Sequence, residues 1–276
     1  MDTKLSNLLD KLLLLLLEAM NVHSINNILT KGVWYHTVEY NNIKSKGTFD
    51  YTKIIDGLNF PRMDDLNVLD VGCSDGFFSM YFLRNLGAKK VTGVDINKYD
   101  GSVAFEVLDT YKDNYIEKYD ERNDFNYLVD DYKKLELNDP NKFNFLKKIY
   151  NLNMEFILGS IYELENIENH DVTFCGSLLE HLRDPVSAIE NLYLKTNKFC
   201  IIDVSNTIKN NYVNLFRPYL KYTNSGGNFF HYSEKAIKLM MKNVGFENVK
   251  TLKRYTIKIE KYGYTIPHSI LIGYKN

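Results

Sequence analysis

Residues 68–79 read VLDVGCSDGFFS, and the fold of the chain turns on this stretch. Val68, Leu69 and Val71 form a short apolar run suited to a strand buried in a parallel sheet. Asp70 and Gly72 close that strand, and Gly76 stands where a helix opens with Phe77, Phe78, Tyr81 and Phe82. A glycine turn between strand and helix lets backbone N–H groups approach a ligand, because no Cβ intervenes. VTGVDI (91–96) supplies a second buried strand ending in Asp95. An acid about twenty residues past such a turn is placed to grip the two hydroxyls of a ribose.

Two ligand families use this arrangement. A dinucleotide calls for three glycines, G-x-G-x-x-G, with its pyrophosphate on the helix N-terminus. Here the loop is Gly72-Cys73-Ser74-Asp75-Gly76, with Asp70 two residues before it and Asp75 inside the turn. Those carboxylates repel a pyrophosphate, whereas Asp70 suits a cationic amino group. The pattern D-x-G-x-x-x-G, with Ser74 in place of a middle glycine, resembles the S-adenosylmethionine loop of class I methyltransferases. A dinucleotide oxidoreductase is the poorer reading, since the third glycine is missing and Asp70 is gained.

The rest of the composition is ordinary for a globular protein: 276 residues, 45% hydrophobic, 25% charged. A net charge of −1 gives no global pull toward nucleic acid. Cys73, Cys175 and Cys200 fall in or beside predicted strands without metal-ligand spacing, so they read as reduced core residues of a cytoplasmic protein, with no metal site. The leucine run 12–17 is flanked by Lys11 and Glu18 and is far too short to span a membrane. It reads as part of a helix over 4–20 that packs on the domain or on a second copy in a homo-oligomer.

Along the chain, residues 1–60 read as a helix followed by an irregular, lid-like lead-in, with WYHTVEY at 34–40 and GTFDYTK at 47–53. Residues 61–276 read as one Rossmann-like domain, interrupted by an insertion at about 97–154 that is too long for an ordinary loop. Strands are expected at 67–72, 91–96, 155–160, 172–177 and 198–204. Helices are expected at 76–86, 103–119, 141–150, 185–194 and 233–244. Asp184 and Pro185 supply a helix start, and Gly245 a helix stop. A final hairpin, near 248–257 and 268–274, makes the fold class α/β: a doubly wound, mostly parallel sheet with an antiparallel edge strand.

Several segments together resemble one branch of the class I methyltransferases, the tRNA wobble-uridine 5-oxyacetic acid methyltransferase-like proteins. They are WYHTVEY, VLDVGCSDGFF, GVDI, GSIYEL (159–164), FCGSLLEHLRDPVSAIENL (174–192) and FFHYSEKAIKLMMKNVGFENV (229–249). The resemblance implies S-adenosyl-L-methionine as cofactor. Asp70, Gly72, Ser74 and Gly76 would surround its methionine part, and Asp95 would hold the ribose with Ile96 against the adenine. Ser160 and Ile161 would face the adenine edge, and Gly176 and Ser177 would lie beside the sulfonium. Members of that branch that transfer a carboxymethyl group carry a tyrosine before the motif histidine and an arginine at the start of the final strand. Here those positions hold Glu180, before His181, and His268, so plain methyl transfer is expected.

The acceptor is expected to be an oxygen or nitrogen of a small molecule or modified sugar, with a tRNA wobble uridine as the rival. A cofactor-binding protein without transferase activity is the rival from another class. A hydroxyl acceptor is helped by a base, and His36, His181, His231 and His268 are the candidate catalytic residues. Each has the plain alternative of a structural hydrogen bond. Trp34, Tyr35, Phe229, Phe230 and Tyr232 offer stacking surfaces or core, and Lys209, Arg217 and Lys221 read as a solvated face.

Overall fold

The computed structural model describes residues 22, 24–32, 34–96, 140–205, 217–225, 228–259 and 263–276. Its centre is a seven-stranded sheet built from β5 (Asn67–Val71), β6 (Lys90–Asp95), β7 (Met154–Leu158), β8 (His170–Gly176), β9 (Thr196–Ser205), β12 (Glu247–Ile259) and β13 (Tyr264–Tyr274). The order across it is β12-β13-β9-β8-β5-β6-β7. The pairs β7–β6, β6–β5, β5–β8 and β8–β9 are parallel, whereas β13 runs antiparallel to both β9 and β12. This is the expected doubly wound sheet with its antiparallel edge.

Period-two alternation sends neighbouring side chains to opposite faces. Val68, Val91, Ile201 and Ile270 join a core with Phe78, Phe82, Phe143 and Phe174. Leu69, Val94, Ile202 and Leu271 join a second core with Ile189, Tyr232 and Phe246. The helices cover these faces. They are α1 (Phe77–Asn85), α2 (Pro140–Tyr150), α3 (Pro185–Lys195) and α4 (Glu234–Asn243). The Asp184 carboxylate caps α3 by accepting from the Ser187 N–H at 3.0 Å, and the Ser233 hydroxyl caps α4 by accepting from the Ala236 N–H at 3.2 Å.

The lead-in is more regular than the sequence suggested. Residues 24–31 are helical, and β1 (Trp34–His36) pairs in parallel with β4 (Gly47–Phe49). Between them β2 (Glu39–Tyr40) and β3 (Ile43–Lys44) form a hairpin whose turn residues, Asn41 and Asn42, have φ of 47° and 63°. Asparagine tolerates that left-handed pair, which matches the twist of a two-residue hairpin. The 205–232 connection contains a second hairpin, β10 (Leu220–Ser225) with β11 (Asn228–Tyr232). The final hairpin is longer than expected at both strands. Pro267 is accommodated within β13 because pairing to β9 begins only at His268.

The predicted helices at 4–20 and 103–119, the leucine run and Lys209 lie outside the described residues. All three cysteines are buried free thiols. Among the described residues no helix is long and apolar enough to cross a membrane.

Candidate active site

The loop after β5 is tightly folded. Gly72 and Gly76 have φ of +80° and +84°, and Ser74 between them has φ of 50°. The Gly72 N–H donates to the Val94 carbonyl at 2.8 Å, tying the loop to β6. A Cβ on Gly72 would meet Leu178 Cδ2 at 3.0 Å, and one on Gly76 would meet Phe143 at 2.7 Å. Both glycines are therefore required by close packing as well as by backbone angle. Phe143 comes from α2, so the last helix of the insertion braces this loop.

Asp95 ends β6 facing the loop. Its Oδ2 accepts from the Ser74 N–H at 2.7 Å and its Oδ1 from the Ile96 N–H at 2.8 Å. The side chain is half-buried, and burial pushes its carboxyl up to about 6, opposed by those two backbone hydrogen bonds. Asp70 lies deeper. The Ser79 hydroxyl donates to it at 2.5 Å, and burial pushes its carboxyl up to about 7 against that hydrogen bond. Two carboxyls, on the neighbouring strands β5 and β6, are thus held above their ordinary range by burial.

Asp75 belongs to a different structure. Its Oδ2 accepts from the backbone N–H of His36 at 2.8 Å, and its Oδ1 meets His36 Nδ1 at 2.7 Å and the Phe77 N–H at 3.3 Å. His36 is buried and stacks on Phe77, with ring centroids 5.2 Å apart. The acid inside the turn thus pins β1 to the glycine loop.

A second polar cluster sits one step along the same carboxyl edge. Ser177, following β8, has φ of 47°, and its N–H donates to the Asp203 carbonyl at 2.8 Å. His268, where β13 begins to pair with β9, places Nδ1 3.3 Å from Asp203 Oδ1 and 3.5 Å from Ser177 Oγ. The Tyr255 hydroxyl donates to Asp203 Oδ2, and its ring stacks on His268 with centroids 4.9 Å apart. Tyr51 reaches the Tyr255 hydroxyl at 3.2 Å. Burial, then the nearby Asp203 carboxylate, drives both phenols well above their ordinary range. Glu180, buried in the 3-10 turn Leu179–His181, accepts from the Ser205 N–H at 3.4 Å.

The other expected residues are placed as follows. Ser160 and Ile161 follow β7. The Ser160 hydroxyl accepts from the Tyr162 N–H at 3.2 Å, and Ile161 is buried in the core. Gly176 ends β8, beside the cluster. His181 is half-buried in its 3-10 turn, with its N–H donating to the Leu178 carbonyl at 2.9 Å. His231 lies on β11 opposite Lys221, and burial, then that lysine, lowers its affinity for a proton. Trp34, Phe229 and Tyr232 are core, whereas Tyr222 is exposed.

Sequence reasoning missed Asp203, Tyr255 and Tyr51. Asp203 carried a usable signal: it is the one acid inside the apolar strand KFCIIDVS. A carboxylate there has to be paired.

A sequence profile described as a methyltransferase domain matches residues 47–251. The chain belongs to this methyltransferase-domain family. The match contains the glycine loop, Asp95, Ser177 and Asp203, and ends before His268. Among solved structures, the N-terminal domain of EvdMO1, crystallised with SAH and D-fucose, is 12% identical with a TM-score of 0.55. That alignment covers 94% of this chain and 97% of that one. A methyltransferase candidate from Bacillus halodurans C-125 is 14% identical with a TM-score of 0.50, covering 81% of this chain and 96% of that one. At these identities the likeness is one of fold. A search of curated proteins gave no match.

Proposed function

We propose that this methyltransferase domain takes a methyl group from S-adenosyl-L-methionine and passes it to an oxygen or nitrogen of a small molecule or modified sugar. The observation that carries the reading is Asp95, a half-buried carboxylate held by the Ser74 and Ile96 N–H groups at the end of β6. Each of its oxygens retains acceptor capacity for the hydroxyls of a ribose. The donor fits the rest of the loop: Asp70 suits its ammonium, and Gly72 and Gly76 give the loop the positive φ angles and close packing of its tight turn. When bound, it supplies an electrophilic methyl on a sulfonium. Ile96, Ser160 and Ile161 are the proposed neighbours of its adenine, and Gly176 and Ser177 of its sulfonium. The fold-level neighbour crystallised with SAH and D-fucose is compatible with a small hydroxylated acceptor.

The protein's part is to hold donor and acceptor in line and keep water away. The test is transfer of a radiolabelled methyl from S-adenosylmethionine to a panel of sugars, phenols and amines, run beside unmodified and wobble-hydroxylated tRNA. Label on a small molecule is expected. Label on tRNA alone would replace this acceptor with a wobble uridine. Tight S-adenosylhomocysteine binding with no transfer to either would leave a binding protein, and no binding would end the reading.

A further inference from the structure

The hydrogen bonds around Asp203 orient the histidine beside it. Tyr255 has one hydroxyl proton and gives it to Asp203 Oδ2, so the Tyr51 hydroxyl is the donor to Tyr255 at 3.2 Å. A carboxylate has no proton to give, so with Asp203 in that form His268 Nδ1 is the donor in its 3.3 Å contact with Oδ1. A neutral imidazole with its proton on Nδ1 has a lone pair on Nε2. Among the described residues His268 Nε2 has no hydrogen-bond partner, and neither has Glu180 Oε2. These side chains are only 4% and 2% exposed. Both flank Ser205, which donates its N–H to Glu180 Oε1 and is the Cα partner of His268 across β9 and β13. Two buried acceptors without donors, on residues that share Ser205 as a neighbour, are costly unless something brings donors to them.

From this we infer that the acceptor substrate is a hydroxyl compound carrying at least two O–H donors, and that His268 Nε2 is the base that takes the proton from the hydroxyl being methylated. This rests on the reading of the domain as transferring a methyl from a sulfonium. One O–H donates to Nε2 and a second to Glu180 Oε2. As the substrate oxygen bonds to the methyl carbon, the carbon–sulfur electron pair returns to sulfur and the hydroxyl proton moves to Nε2. The products are a methyl ether, a neutral thioether and an imidazolium held by Asp203, which later releases its proton to water. An amine is disfavoured as substrate, because Glu180 and Asp203 would hold it as an ammonium without a lone pair. Among the described residues, the charged and titratable groups around His268 are Asp203 from β9, Tyr255 from β12, Glu180 from the 3-10 turn and Tyr51 from the lead-in, with Ser177 after β8.

The test uses the whole protein saturated with S-adenosylhomocysteine and labelled with 15N-histidine, with His268 assigned by His268→Gln. The expected spectrum has protonated Nδ1 and unprotonated Nε2. Addition of D-fucose, D-glucose or catechol as diol probes should shift the Nε2 resonance, whereas ethanolamine should not. Asp203→Asn should move the proton to Nε2 and abolish the response. With a diol that becomes labelled, His268→Gln should lower kcat at least 100-fold. It should leave KM and S-adenosylhomocysteine affinity within about threefold, because Gln retains an acceptor but cannot take a proton. An Nε2–H tautomer, no response to any diol, or an equal response to ethanolamine would overturn the inference. Failure to bind S-adenosylhomocysteine would instead overturn the methyltransferase reading beneath it.

Discussion

Asp70 is a single buried group whose ionisation costs stability. Its ordinary pKa is 3.8, and burial in the fold pushes it to about 7. Between those values the folded protein keeps a proton that the unfolded chain has released, so stability falls as pH rises through the window. Above about 7 the full cost of a buried carboxylate is present. Asp70→Asn removes the titration while leaving an oxygen for the Ser79 hydroxyl. The variant, without ligand, should melt higher than the wild type at pH 8, with the difference shrinking by pH 5. Under the proposed function it should also bind S-adenosylhomocysteine at least tenfold more weakly, having lost the charge proposed to meet the ammonium. Paired thermal melts and calorimetry at the two pH values check both directions. A variant that melts lower at pH 8 would show that Asp70 is a structural acceptor and not a strained binding group.

The pin between β1 and the glycine loop is an element-level device. Asp75 satisfies three donors, the His36 N–H, His36 Nδ1 and the Phe77 N–H. Asp75→Ala leaves them buried without an acceptor, a cost of roughly 1–3 kcal/mol. The melting temperature should fall by several degrees, and His36→Ala should add little to it in the double variant because the two share one interaction. Additive losses would mean the two residues act independently. The parallel strands β5, β6 and β8 were legible as short apolar runs, and the helices by their ends, as Asp184 and Pro185 mark α3 and Gly245 follows α4. The pin was not legible, because nothing in WYHTVEY tells that His36 meets an acid 39 positions away. Asp75 was noticed only as a charge in a turn, and its partner is set by tertiary packing. The lead-in strands were hidden for a similar reason, being two or three residues long. The glycine loop and Asp95 were readable because local backbone chemistry limits which residues serve there.

For the molecule as a whole, the parallel half of the sheet presents the loop and Asp95 while the antiparallel edge brings His268 to Asp203. A site assembled from both halves also sets which donor it accepts. Glu180 is a buried acid; by the resemblance drawn from the sequence it stands where a carboxylated S-adenosylmethionine would place its extra negative charge, and like charges repel strongly in a buried setting. In competition the unmodified form should bind at least tenfold tighter, and Glu180→Gln should narrow that gap. Tighter binding of the carboxylated form would revive carboxymethyl transfer.

The most direct test of the account is a calorimetric titration of S-adenosylhomocysteine into the wild-type protein and into Asp95→Ala, with NAD as the control ligand. Saturable S-adenosylhomocysteine binding, weakened by roughly 1–3 kcal/mol in the variant as buried polar partners go unmet, is the predicted result, with no response to NAD. Equal affinity in the two proteins, or binding of NAD in preference, would contradict it.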